Sequence, residues 1–413
     1  MPSPTEVKSR HASNTRPVPP TTEDVQRRLA DLARREPDRV HVRTVERSGE
    51  GRPIDAVTVT DPSISDSLKQ HVLLVAGQHG NEESARLVAL ELLDHLLADA
   101  QRDTLRRQKI VVIPNVNPDG AINDTYETPG GIKPNMDHGP AGSTTPEGRA
   151  VECIASEMCP DVFVDIHARG HAGCSYDMVL YPQTKAYTED DNLFHEIAAE
   201  MIAAGERAGL PHITHPLAWW VEPSDDASST TAYAYGNFKS IVMLTESAEG
   251  NEHAYPQALT ARVGVARIMA LLAWGDRKHP KLYYAGYPNG LVLGMFSTAL
   301  MAAGETPAAR RRSRVAIWQQ RDAFRSLNAR LPERRDHKTV VAEYAGPTLH
   351  HGVGLMLRAA GHREVAEVRC RGRELRPSEV DGYYTYRDAT STYVVAVLPT
   401  LEAGAWDVEA VLR

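Results

Sequence analysis

The chain has 413 residues, 42% of them hydrophobic and 24% charged, with a formal net charge of −8 at pH 7. These values fit a soluble globular protein long enough for two domains, and the acidic balance gives no reason to expect nucleic acid or a membrane as partner. Four cysteines, Cys153, Cys159, Cys174 and Cys370, form no Cys-x-x-Cys pair, which argues against a disulfide scaffold and for reduced thiols in a cytoplasmic protein.

Residues 1–20 are polar and proline-bearing without an apolar run, so a disordered tail is expected there and no secretory signal is visible. Val25, Leu29, Leu32 and Ala33 then keep helical spacing behind Thr21 and Thr22 as candidate caps. The run His71 to Ala76 reads as a buried strand that stops at Gly77, and a helical pattern (Leu87, Val88, Leu92, Leu96, Leu97) follows. His79 and Glu82 fall in the turn between them. Ligands of open α/β sheets bind there, beyond the carboxyl ends of the strands. An imidazole and a carboxylate so placed can grip one zinc ion if a third ligand arrives from elsewhere, although His-x-x-Glu alone is equally at home in a solvated turn.

Three further strand ends add chemistry. Lys109 to Val116 ends in the turn Asn117-Pro118-Asp119-Gly120. Asp161 to Ile166 ends in His167, and Ser240 to Thr245 ends in Glu246. Strand and helix signals alternate to about Trp274, so residues 21–275 are expected to form one domain around a mixed, mainly parallel sheet with helices on both faces. Residues 276–336 lose strand character and are expected to form a helical connecting segment, with an amphipathic run through Val315, Ile317, Trp318, Phe324 and Leu327. Arg310-Arg311-Arg312 belongs to this segment as a solvated face. Leu291 to Ala303 is too short an apolar stretch to span a bilayer. Residues 337–413 carry short strands near Thr339, Leu355, Val365, Tyr383, Thr392 and Trp406, separated by glycine turns, and suggest a small β-sandwich.

The motifs His79-x-x-Glu82, Asn117-Pro118-Asp119-Gly120, Asp165-x-His167 and Thr245-Glu246, in this order, resemble those of the zinc carboxypeptidase family. Ser48-Gly49-Glu50-Gly51-Arg52-Pro53-Ile54 is similar to the hairpin before its first ligand, and Pro146-Glu147-Gly148-Arg149-Ala150 to the helix start before its second histidine. The resemblance covers residues 22–275. It implies one zinc ion per chain on His79, Glu82 and His167, with Glu246 as general base and Glu249 or Glu222 as alternatives. Three protein ligands leave a position for water, which zinc acidifies to a pKa of about 7. Asp165 or Asp119 is placed to orient a ligating imidazole.

The sequence also departs from that family. Its Asn-Arg clamp for a terminal carboxylate corresponds here to Asn135-Met136, and a thioether cannot make the bidentate contact of a guanidinium. Asn135 is kept as a substrate-binding candidate. Where the family supplies an arginine to the oxyanion, the segment between Gly120 and Asn135 offers Lys133, and Arg169 beyond His167 is the candidate replacement in catalysis and substrate binding. The late tyrosine is replaced near Ser224; Tyr235 is the candidate ring, with core packing as the alternative for it and for Tyr233. His212, His215, His171 and His350-His351 read as surface or hydrogen-bonding residues, and Trp219 and Trp220 as cleft or packing residues.

Three functions are therefore weighed. The first is a zinc-dependent hydrolase of an amide or peptide bond, with a peptide or small-molecule amide as its partner. The second is a zinc-dependent N-acyl amino acid deacylase or esterase acting on a non-peptide substrate, favoured by the missing clamp. The third is a non-catalytic zinc-binding module, against which the intact set of ligands and base argues.

Overall fold

The structure is a computed structural model that describes residues 20–66, 69–169, 178–183, 188–209, 217–220, 228–238, 240–248, 257–278, 282–284, 292–295, 324–326, 337–344, 348–378, 381–387 and 391–413. The tail expected over residues 1–20 lies outside them save for Pro20. The chain divides into two compact units, the first running to Asp66 and over Gln70–Trp274, the second Gly275–Arg413 with Ser67–Lys69.

In the first unit, helix α1 (Thr22–Arg35) starts at a capping box in which Thr21 and Asp24 satisfy each other's backbone N–H groups. It buries Val25, Leu29 and Leu32. Strands β1 (Val40–Arg47) and β2 (Pro53–Val59) form a hairpin, and β3 (Gln70–Ala76) leads into α2 (Glu83–Leu97). After the short α3 (Arg102–Arg107) come β4 (Gln108–Ile113), α4 (Pro118–Asn123), α5 (Pro146–Met158), β5 (Val162–Arg169), β6 (Met178–Gln183), α6 (Thr188–Arg207), β7 (Leu217–Trp220), α7 (Thr230–Phe238), β8 (Ile241–Ala248) and α8 (Gln257–Lys278).

These eight strands make one mixed sheet in the order β1-β2-β4-β3-β5-β8-β6-β7. Its centre, β4-β3-β5-β8, is parallel. All seven residues of β3 are buried, as expected of a central strand covered on both faces. The motif-bearing ends of β3, β4, β5 and β8 therefore open at one edge of the sheet.

The Asn117-Pro118-Asp119-Gly120 turn is more ordered than expected. Asn117 accepts from Gly120 N at 2.9 Å and Pro118 occupies the first helical turn, so the four residues start α4. Thr145 and Pro146 start α5 in the same way.

In the second unit, the described strands are β9 (Leu282–Tyr284), β10 (Val292–Met295), β11 (Phe324–Ser326), β12 (His337–Tyr344), β13 (Leu349–Ala360), β14 (Val365–Cys370), β15 (Arg373–Glu374), β16 (Tyr383–Arg387), β17 (Ser391–Leu401) and β18 (Gly404–Leu412). They form two antiparallel five-stranded sheets, β16-β17-β13-β10-β9 and β11-β12-β18-β14-β15. In β18, Trp406, Val408, Ala410 and Leu412 are buried in alternation, the pattern of a sheet with one face inward.

One expectation is corrected in part. Beyond α8, the described residues of the interval 276–336 are strands, and Phe324 sits in β11, paired with Tyr344. Pairing with β12 and β13 overrides local helical spacing there. The rest of that interval, the three arginines included, lies outside the described residues.

Candidate metal centre and active site

The turn after β3 is shaped by two glycines. Gly77 has φ +66°, a left-handed conformation that suits glycine, and a side chain there would meet Arg86 and Asn115. A Cβ on Gly80 would lie 1.9 Å from the Gly120 carbonyl carbon. Backbone thus packs on backbone, pressing the His79 turn against the start of α4. Buried Arg86 donates to Gly80 O at 2.6 Å, and Asn81 N donates to Thr125 O at 3.1 Å.

His79, Glu82 and His167 are all buried, and one ligand atom from each lies within 4.8 Å of the others. His79 Nδ1 is 2.7 Å from Glu82 Oε1, and His167 Nδ1 is 2.9 Å from Glu82 Oε2. Ala168 N also donates to Oε2 at 3.1 Å. Burial would raise the Glu82 carboxyl, but the two imidazoles outweigh it and hold the pKa at about 2. Burial disfavours a charged His167, yet the carboxylates of Asp165 and Glu82 outweigh it and raise that ring well above the usual histidine value.

The outer nitrogens face acceptors. His167 Nε2 lies 3.0 Å from Asp165 Oδ1, and His79 Nε2 lies 2.9 Å from Asn135 Oδ1. The two Nδ1 atoms converge on the Glu82 carboxylate and are the ones placed to ligate a shared metal. Two imidazole nitrogens and a carboxylate converging in this way fit a zinc ion.

Asp165 is therefore the aspartate that orients an imidazole. Asp119 is turned elsewhere: it accepts from Ser48 Oγ at 2.7 Å, Glu50 N at 2.9 Å and Arg52 Nη1 at 2.7 Å. It fastens the β1–β2 hairpin to α4. Burial, together with the nearby Asp119 charge, raises the pKa of Glu147 on the same side of the hairpin.

Glu246 pairs in register with His167 across the parallel β5–β8 ladder, so both side chains leave the same face of the sheet. It is 9% exposed. The other candidates fare differently. Asn135 reaches the centre, but as the partner of His79. Tyr235 is buried, and its ring packs edge-on against Phe194 at 5.9 Å, as the core alternative would have it. Tyr233 stacks near His138. Arg169 ends β5 with its side chain outside the described set, as are the side chains of Trp219 and Trp220. Glu222, Ser224, Glu249, His171, His212 and His215 also lie outside the described residues.

The residue that sequence reasoning missed is Tyr126, whose ring stacks on His79 with centroids 3.5 Å apart. Lys133 Nζ sits 5.2 Å from the same ring. Among the described residues, the large apolar side chains left exposed are Ile122, Tyr126, Ile132 and Met136, all within this one segment. That clustering of apolar residues between Gly120 and Asn135 was the available signal.

An open, mainly parallel α/β sheet with a His-Glu-His cluster at its carboxyl edge is the architecture of a metallohydrolase. Residues 25–133 match the zinc carboxypeptidase family. Similar solved structures include a metallo-carboxypeptidase from Burkholderia cenocepacia, with 22% identity and a TM-score of 0.53 over 62% of this chain and 69% of that one. Carboxypeptidase A from Helicoverpa armigera gives 16% and 0.51 over 66% and 80%. Bovine thrombin-activatable fibrinolysis inhibitor gives 14% and 0.51 over 62% and 97%. No curated protein sequence matches the chain. The chain is thus zinc carboxypeptidase-like, as the motifs implied.

Proposed function

We propose that the protein is a zinc-dependent hydrolase of amide bonds, with one zinc ion per chain held by His79, Glu82 and His167. The observation that carries this reading is the convergence of two Nδ1 atoms on the Glu82 carboxylate, with Glu246 in register beside His167. A zinc ion in such a site polarises a carbonyl and acidifies water. Glu246 accepts the proton of the attacking water and delivers it to the leaving nitrogen, so that amide and water become acid and amine. Asp165 and Asn135 keep the imidazoles aimed. Lys133 and Arg169 are the cations available for the developing oxyanion.

A second reading concerns the substrate. Asn135 is engaged by His79, and Met136, 47% exposed, stands where a clamp arginine would be. Both favour a small amide or an ester without a free terminal carboxylate over a substrate held by one. Among the described residues no helix is long and apolar enough to cross a membrane. The free thiols of Cys153, Cys159 and Cys370 suit a cytoplasmic setting.

The test is metal content and hydrolysis together. Purified protein is expected to bind one zinc and to cleave members of a panel of free peptides, blocked peptides and N-acyl amino acids. His79→Ala is expected to lose most of the metal and the activity, whereas His212→Ala keeps both. Stoichiometric zinc in both His79→Ala and His167→Ala would overturn the ligand set. Zinc binding without turnover of any panel member would leave a binding module.

A further inference from the structure

Gln78 and Thr230 link Asp165, which lies beside the outer nitrogen of His167, to Asn135, whose side chain faces that of His79. Gln78 Nε2 donates to Asp165 Oδ1 at 2.7 Å, the same oxygen that faces His167 Nε2. Because a carboxylate only accepts, the Gln78 amide has one possible orientation, which turns its oxygen toward Thr230. Thr230 Oγ1 lies 3.0 Å from Gln78 Oε1 and 3.2 Å from the backbone oxygen of Asn135, so its single proton is shared between two acceptors. Asn135 Oδ1 in turn faces His79 Nε2 at 2.9 Å. Gln78 and Thr230 are both fully buried. The direction along this branch runs from Thr230 to Gln78 to Asp165.

We infer that Gln78 and Thr230 are positioning residues that lock both ligating imidazoles in the Nε2–H form, coupling the metal centre to the start of α7. This rests on the metal-site reading above. Thr230 belongs to an element remote in sequence from either histidine, and it touches Gln78, which holds Asp165, and the backbone of Asn135, which faces His79. Gln78 precedes His79 in the chain but serves His167. A shift of α7 would thus reach Asp165 through Gln78 and the segment of Asn135 through its backbone.

Outer partners of ligating histidines are worth about 10–100-fold in metal affinity, and the brace acts one step further out. Thr230→Val preserves shape and removes the only donor to Gln78. It is expected to weaken zinc by roughly tenfold in chelator competition, below the metal-free unfolding temperature. Thr230→Ser restores the hydroxyl and should restore affinity. Gln78→Leu should weaken zinc by at least as much, and the double variant should lose less than the product of the two, since both break one chain. Cobalt substituted for zinc should show an altered visible spectrum in Thr230→Val and a parental one in Thr230→Ser. In the folded parent, nitrogen-15 NMR should report a proton on Nε2 of both His79 and His167.

Equal zinc affinity in the parent, Thr230→Val and Gln78→Leu would overturn the brace while leaving the metal site standing. So would strictly multiplicative effects of the two substitutions. Failure of the parent itself to bind zinc would instead refute the metal-site reading. If Thr230→Val does not fold, the NMR assignment on the parent and the Gln78→Leu affinity decide the matter.

Discussion

At the bottom of the site His79, Glu82, Asp165 and His167 are at most 6% exposed and lie among one another and the polar groups of Gln78, Asn135 and Ala168, whereas along residues 122–136 Ile122, Tyr126, Ile132 and Met136 stay 37–47% exposed. The contrast follows from what each region is asked to bury. Polar and charged groups can leave water only if every one is matched, so the buried centre tolerates few alternatives. An apolar border over His79 carries no such requirement, and its composition is free to follow the substrate. Chemistry is therefore expected to depend on the buried centre and selectivity on the border.

The largest effect should come from the base. Glu246→Gln keeps the strand pairing and the shape of the side chain, so zinc content and thermal stability are expected to stay parental. Turnover should fall by about 10²–10⁴-fold. A variant as fast as the parent on a substrate the parent clearly cleaves would move the role to Glu222 or Glu249.

The two buried aspartates sharpen the comparison within the centre. Asp165→Asn swaps an obligate acceptor for an amide and is expected to weaken zinc by roughly 10–100-fold. Asp119→Asn should leave zinc affinity within about twofold, because Ser48, Glu50 and Arg52, which donate to it, all belong to the β1–β2 hairpin. Its cost should appear in unfolding, at about 1–3 kcal/mol for donors left without their carboxylate. Chelator competition and denaturant titration on both variants separate the two roles. Equal loss of zinc in both would merge the hairpin with the metal centre.

The same pair shows how far the sequence could be read. Runs of buried apolar residues ending at Gly77, Asn117, His167 and Glu246 placed the strands and the edge where the motifs meet, because strand period and glycine breaks are local signals. Which aspartate faces an imidazole depends on where the hairpin folds back, a contact 67–71 residues distant in the chain. Strand alternation made Asp165 share a face with His167; nothing comparable tied Asp119 to Ser48 or Arg52. Asn135 was found by its place after the Asn-Pro-Asp-Gly motif, but its engagement with His79 is tertiary. Tyr126 lacked any motif, and the contact of the Tyr235 ring with Phe194 is likewise tertiary. Phe324 kept helical spacing with its neighbours and still became a strand, since pairing with β12 decides its state.

Selectivity should move with the border. Tyr126→Ala removes the ring on His79 and is expected to raise KM for substrates with an aromatic or aliphatic acyl group by about two- to tenfold. That corresponds to the 0.5–1.5 kcal/mol typical of an aromatic contact. A small polar amide should be little affected. With Met136 in the clamp position, a free acid and its amidated counterpart should differ by less than about threefold in kcat/KM. A preference on the order of a hundredfold for the free acid, the scale of a lost charge-assisted pair, would show that Lys133 or Arg169 acts as a clamp.

The smallest effect concerns how the border is anchored. Asp137, next to Met136, accepts from Thr144 N at 2.9 Å, Thr144 Oγ1 at 2.8 Å, and both Thr145 N and Oγ1 at 2.8 Å. Burial would raise its carboxyl, but these donors outweigh it and lower the pKa below the ordinary aspartate value. A carboxyl lowered on folding stabilises the protein above its unfolded pKa of about 3.9 and loses that contribution as the pH falls through the folded value. Asp137→Asn should therefore lower Tm at pH 7 by roughly 2–4 °C, as for a lost helix cap. The gap to the parent should close as the pH is taken below about 4. If border and centre are independent, zinc affinity stays unchanged in this variant while KM for apolar substrates rises. A parallel loss of zinc would mean that the anchoring of residues 122–136 reaches His79 through Asn135, and that the two regions act as one.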